Sequence, residues 1–159
     1  MVAAAAPPIR AATAADLPAI RALLQAAALP VDDLSPSAPV EFLVADHDGL
    51  PVGAIGLERH GSSGLLRSLV VAPSRRGRGL AGALVAALER RAAEAGIERL
   101  VLLTTTAGPF FAARGYRPTP RDALSDSLRA TPEFQSLCPA PAACLARDLS
   151  ARARDPHVA

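Results

Sequence analysis

The run Arg75-Arg76-Gly77-Arg78-Gly79-Leu80-Ala81-Gly82 sets three guanidinium groups and two closely spaced glycines just ahead of a helical pattern. Glycine lets the backbone approach a ligand without interference from a Cβ. A helix opening near Leu80 leaves its first amides unpaired and aimed at the turn, where its dipole favours negative charge. The arginines add charge suited to phosphate. The chemistry predicted here is the cradling of a diphosphate, with a solvated glycine-rich loop as the competing reading. A Walker A loop is excluded because no Gly-Lys-Ser/Thr follows, and a dinucleotide-binding fingerprint fails for want of Gly-x-Gly-x-x-Gly.

The surrounding pattern supplies elements to hold this turn. Pro8 to Thr13 reads as extended, and Thr13-Ala14-Ala15-Asp16 opens a helix with capping-box chemistry. Leu17, Ile20, Leu23, Leu24 and Ala27 give that helix one apolar face before Pro30 ends it. Strands are predicted at Glu41 to His47, Val52 to Arg59 and Leu65 to Ala72, with a hairpin at Asp48-Gly49 and a loop over residues 60–64. A long helix follows from Leu80 to Ala95, stopped by Gly96. Then come a strand at Arg99 to Leu103, a short helix from Ala107 to Arg114, and a strand opening at Tyr116. A helix over Asp122 to Arg129 and a last strand over Ala142 to Leu149 complete the pattern. Helices interleaved with a mostly antiparallel meander make the class α+β. Residues 1–150 are expected to form one domain and 151–159 a disordered tail.

Composition narrows the function. All 17 basic residues are arginine, which excludes lysine chemistry outright. A net charge of +2 and an aromatic content of 3% argue against nucleic-acid partners. No basic leader with a sustained apolar run opens the chain, and no stretch has the length of a membrane span, so a cytoplasmic protein without a membrane partner is expected. The two cysteines, Cys138 and Cys144, are then expected to stay reduced.

Arg76-Gly77-Arg78-Gly79-Leu80-Ala81, with the Val-Ala-Pro strand end before it, resembles the Gln/Arg-x-x-Gly-x-Gly/Ala signature of the GNAT superfamily of N-acetyltransferases. The resemblance covers nearly the whole chain and implies a central sheet of about seven strands flanked by helices. It implies acetyl-CoA as cosubstrate and no metal. The pyrophosphate would lie on the amides of Arg76, Gly77, Arg78, Gly79, Leu80, Ala81 and Gly82. The pantetheine would run beside Leu69, Val70 and Val71, where the sheet splays. Phe110-Phe111-Ala112-Ala113-Arg114-Gly115-Tyr116 is similar to a second family stretch whose tyrosine protonates the departing thiolate. Phe111 stands at that position, leaving water or another group for the task; cofactor contact and core packing compete for it.

Acetylation of an amine requires a neutral nitrogen, so a proton must be removed. Glu58 is the candidate base because it ends the strand next to the cofactor strand, with an exposed strand-end carboxylate as the alternative. His60 shares its face if the strand continues, and is otherwise a loop histidine. Arg67 interrupts an apolar strand and by alternation lies with Leu65, Leu69 and Val71. It reads as a clamp for an acidic acceptor, with a structural salt bridge competing. Thr104 and Thr105 border the acyl site in related enzymes, and helix capping is their other role.

The segments Gly56-Leu57-Glu58-Arg59-His60-Gly61, Leu102-Leu103-Thr104-Thr105-Thr106-Ala107 and Ala130 to Cys144 look like the subgroup encoded in bacterial arsenic-resistance operons (ArsN-type). That resemblance implies detoxification by N-acetylation of a small amino-acid-like amine, such as an arsinic or phosphinic glutamate analogue. A general amino-acid or small-amine acetyltransferase is the alternative, and a homodimer is compatible with either. A non-enzymatic alternative is an acetyl-CoA-binding or metalloid-sensing module using Cys138 and Cys144.

Overall fold

The computed structural model describes residues 7–35, 38–132, 134–135 and 142–149. Cys138 and the 151–159 tail lie outside the described residues. The strands are β1 (Ile9–Ala11), β2 (Val40–His47), β3 (Leu50–His60), β4 (Ser63–Val71), β5 (Arg99–Thr104), β6 (Arg117–Pro118) and β7 (Ala143–Asp148). The helices are α1 (Leu17–Ala26), α2 (Leu80–Glu94), α3 (Gly108–Ala112) and α4 (Asp126–Arg129). Among the described residues the seven strands form one sheet in the order β1-β2-β3-β4-β5-β7-β6. The pairs β1–β2, β5–β7 and β6–β7 are antiparallel, and β4–β5 is parallel. No described helix is long and apolar enough to cross a membrane.

The chain divides into two compact units, Met1–Leu57 with Ser68–Arg90, and Glu58–Arg67 with Arg91–Ala159. In the first, Ile20 and Leu24 of α1 join Leu34, Phe42, Val44, Ala54 and Val70 in a buried cluster. Each of the larger side chains, Ala54 excepted, contributes about 1.5–3 kcal/mol on burial. A Cβ on Gly53 would stand 3.1 Å from Leu84 Cδ1 and 3.3 Å from the Val70 carbonyl, so α2 packs closely against the backbone there. The α1 helix closes at Ala28, whose φ of 59° is left-handed, with the Leu29 amide on the Leu24 carbonyl at 2.9 Å. Its N-terminus is tied by Asp16, which accepts from the Thr13 amide at 2.8 Å and from both terminal nitrogens of Arg10.

In the second unit, Leu65, Val101, Leu124, Leu128, Phe134, Cys144 and Ala146 form the buried cluster. The β5–β7 ladder runs from Arg99↔Asp148 to Thr104↔Ala143. The β4–β5 ladder spans Ser63↔Arg99 to Leu65↔Val101, and β4 itself runs on to Val71 past the last rung.

Three expectations are corrected. The loop over residues 60–64 is a two-residue turn at Gly61-Ser62, with β3 and β4 each reaching further than predicted. The helix over residues 122–129 is broken: a 3-10 turn at Arg121–Ala123 gives way to an extended Leu124, and Ser125 caps α4 by accepting from the Leu128 amide at 3.3 Å. Leu124, at the break, is buried. The simple alternation assumed for Arg67 also fails. Ser68 has φ 59°, and one left-handed residue inside a strand interrupts the two-residue pleat, as at a bulge. Leu69 and Val71 therefore do not continue the face of Leu65 and Arg67 in register.

Candidate active site

The β4 strand delivers the chain into a 3-10 turn at Pro73–Arg75, then through Gly77 (φ 78°) and Gly79 (φ 79°) into α2. A Cβ at either glycine would meet nothing within 4 Å. The glycines are therefore required by their backbone angles and not by crowding within the protein. The first helical bond at this end runs from the Ala83 amide to the Gly79 carbonyl at 3.1 Å. The amides of Leu80, Ala81 and Gly82 precede it and belong to the set a helix cannot satisfy internally. Arg76 Nε donates to the Val71 carbonyl at 3.1 Å, tying the turn back to the strand that feeds it. Gly77, Arg78 and Gly79 are exposed, whereas the side chains of Val70, Val71 and Leu80 are buried, so those three can offer a ligand only backbone.

The second locus is a chain of polar side chains. Glu58, near the end of β3, and Arg67 of β4 are both buried, at 4% and 3% exposure. Arg67 Nη1 donates to Glu58 Oε2 at 3.2 Å. His60 Nε2 lies 3.1 Å from Glu58 Oε1, and His60 Nδ1 lies 2.6 Å from Ser127 Oγ on α4. Because β3 continues through His60, Glu58 and His60 do share a face, as the conditional reading required. Both ring nitrogens of His60 and at least one guanidinium nitrogen of Arg67 thus have partners inside the protein. A carboxylate buried this far is tolerable only when paired and hydrogen-bonded, and here each oxygen has a donor-capable neighbour. Ser127 was not found from the sequence. It is 67 residues from His60, and a serine in a short helix carries no signal of its own.

Other candidates are placed differently. The Thr104 hydroxyl accepts from the Ala107 amide at 2.9 Å, so it caps the turn into α3, while Thr105 is exposed. Phe111 is buried, with its ring 5.3 Å from Tyr116 and 5.0 Å from Phe110 in edge-on contacts. Cys144 is buried opposite Leu103, and burial pushes its thiol above the usual range despite the opposing charges of Arg121 and Arg99. Among the described residues no group of three His, Cys, Asp or Glu could hold a metal ion. An open groove of about 770 Å³ lies where β5, β6 and β7 meet, lined in part by Arg99, Arg117, Thr119 and Arg147.

The profile of the acetyltransferase (GNAT) domain family matches residues 38–118, just over half of the chain. The amino-acid acetyltransferase of Neisseria meningitidis serogroup A is 32% identical over 91 residues, covering 56% of this chain and 21% of that protein. The chain thus spans about a fifth of the length of the curated relatives it matches. Among solved structures, N-acetylglutamate synthase from Neisseria gonorrhoeae, complexed with coenzyme A and N-acetyl-glutamate, superposes with a TM-score of 0.76 at 26% identity. That match covers 92% of this chain and 36% of the synthase chain. Rv2747 from Mycobacterium tuberculosis, complexed with CoA, superposes with a TM-score of 0.73 at 23% identity, over 89% of this chain and 99% of its own. The matched profile takes in the glycine turn, Glu58, His60 and Arg67, and the sheet has the strand content that resemblance led us to expect. This chain belongs to the GNAT family of acetyltransferase domains.

Proposed function

We propose that the chain is an acetyl-CoA-dependent N-acetyltransferase whose acceptor is the amine of a small amino-acid-like molecule. The observation that carries this reading is the Glu58 carboxylate, buried but matched by donors on both oxygens, in a domain of this family. The likeness to amino-acid acetyltransferases and to a synthase solved with coenzyme A supports the same class of acceptor and cosubstrate.

The turn fits a diphosphate on its own chemistry. Open space stands where Cβ atoms would project from Gly77 and Gly79, and the amides of Leu80 to Gly82 lie ahead of the first helical bond. Exposed Arg78 adds a charge to the same stretch. Arg76 both braces the turn on Val71 and brings a second cation. Bound there, acetyl-CoA would supply an acyl thioester, with its pantetheine along Leu69 to Val71.

Glu58 removes one proton from the acceptor's ammonium group, directly or through a water. The freed nitrogen lone pair forms the new C–N bond as the C–S bond breaks, and the electron pair leaves on sulfur as the CoA thiolate. Phe111 offers no proton to that thiolate, and the ring of Tyr116 is buried in the aromatic cluster. The thiolate therefore departs on its own stability, and the second proton, shed by the acylated nitrogen, passes through water to the sulfur. Arg67 holds the base in this scheme, so its expected role as a clamp for the acceptor becomes one of fixing Glu58. Thr105, exposed after β5, is the hydroxyl we propose for contact with an acceptor.

The resemblance of three segments to the ArsN-type subgroup supports a narrower reading, in which the acceptor is an arsenic-containing or phosphinic glutamate analogue and the activity a detoxification. The test is acetyl-CoA-dependent thiol release against glutamate, other amino acids, phosphinothricin, arsinothricin and an aminoglycoside. Selective turnover of the phosphinic or arsinic compound supports the narrow reading, and preference for ordinary amino acids replaces it with the broader one. Turnover of the aminoglycoside alone overturns both.

A further inference from the structure

We infer that Ser127 is a positioning residue for the Glu58 carboxylate, acting by fixing which nitrogen of His60 carries the proton. An ionised carboxylate only accepts hydrogen bonds, so both neighbours of Glu58 must donate to it. Arg67 does so at Oε2 with Nη1, 3.2 Å away. At Oε1 the neighbour is His60 Nε2, 3.1 Å away, which donates only if the proton resides on Nε2. A neutral imidazole in that form has a bare lone pair on Nδ1. Ser127 Oγ lies 2.6 Å from Nδ1, and its hydroxyl is the group that satisfies it. With Ser127 donating, the Nε2–H tautomer is favoured and Glu58 keeps both donors.

The placement of Ser127 is built in. Leu128, the next residue, is 1% exposed in the cluster with Leu65, Val101 and Leu124. Ser125 caps the same helix through the Leu128 amide. The neighbouring charges on α4, Asp126 and Arg129, pair with each other. Ser127 itself is exposed and His60 only partly so, with 14% of its side chain accessible, so the chain Ser127–His60–Glu58 runs from the surface to a buried carboxylate. The catalytic consequence rests on the acetyltransferase reading above, whereas the tautomer does not.

Two-bond proton–nitrogen correlation spectra of the full chain, labelled with 15N-histidine, read the tautomer directly. The His60→Asn variant identifies the His60 signals. Wild-type protein is expected in the Nε2–H form, Ser127→Ala in a mixture, and Ser127→Thr, which keeps the hydroxyl, in the wild-type form. Alanine is favourable in an exposed helix position, so the Ser127→Ala protein should fold. On the best acceptor, Ser127→Ala should lower kcat about tenfold, the effect of one lost hydrogen bond, with KM for acetyl-CoA unchanged and with recovery in Ser127→Thr. A wild-type Nδ1–H tautomer, or an unchanged tautomer in Ser127→Ala, overturns the inference. Absence of turnover in the wild type defeats the acetyltransferase reading instead, while the spectra still decide the role of Ser127.

Discussion

Arg67 and Glu58 form a buried ion pair, with Nη1 3.2 Å from Oε2 and side-chain exposures of 1% and 5%. Such a pair is weak evidence for stability as a unit, but removing one member leaves an uncompensated buried charge. Arg67→Leu should therefore lose about 3–5 kcal/mol in denaturant unfolding. The double variant Arg67→Leu/Glu58→Leu should recover part of that loss. A double-variant loss equal to the sum of the Arg67→Leu and Glu58→Leu losses would show that the pair is not coupled.

The turn at the head of α2 is strained for any residue but glycine. Gly79→Ala meets no steric obstacle, yet φ 79° costs an alanine about 1–2 kcal/mol. The variant should bind acetyl-CoA more weakly by calorimetry, with its amine KM unaltered. An unchanged cosubstrate affinity would remove this turn from the binding account.

Arg10 holds Asp16 and Asp46 at 2.7 Å each, and its guanidinium keeps both carboxyls below the usual range. Asp16 is helped further by the Thr13 amide. Carboxyls with depressed folded-state values contribute stability that is complete above about pH 4 and is lost as pH falls through the depressed values. Arg10→Gln removes that contribution, so it should lower stability at neutral pH and flatten the fall between pH 4 and pH 2, followed by circular dichroism. A fall of wild-type steepness in the variant would contradict the assignment.

Burial raises the Cys144 thiol, so the reactive thiolate is scarce at neutral pH. Native protein should leave Cys144 unmodified by iodoacetamide and react there after denaturation, as peptide mass spectrometry would report. Rapid native labelling of Cys144 would reopen the metalloid-sensing alternative.

What the sequence made legible was local. Asp48-Gly49 lies between β2 and β3 with φ of 53° and 84°, Gly96 ends α2, and Gly77 and Gly79 take the angles their type suggests. Each of these is a decision made within a few residues. Ser68 and Ala28 are left-handed without the residue type that advertises it. The tie between His60 and Ser127 spans 67 residues and exists only once α4 is anchored by Leu128, so no spacing rule could reveal it. Arg67 was recognisable as a charge in need of a partner, but only the folded strands show that the partner is Glu58.

The most direct test of the Glu58 centre is mass-spectrometric detection of N-acetylated product from acetyl-CoA and the best amine of the panel, comparing the wild type with Glu58→Gln. The variant keeps a similar shape and loses the basic oxygen, so product formation should fall by about 10²–10⁴-fold, with acetyl-CoA affinity preserved. Product formation at the wild-type rate in Glu58→Gln would contradict the account.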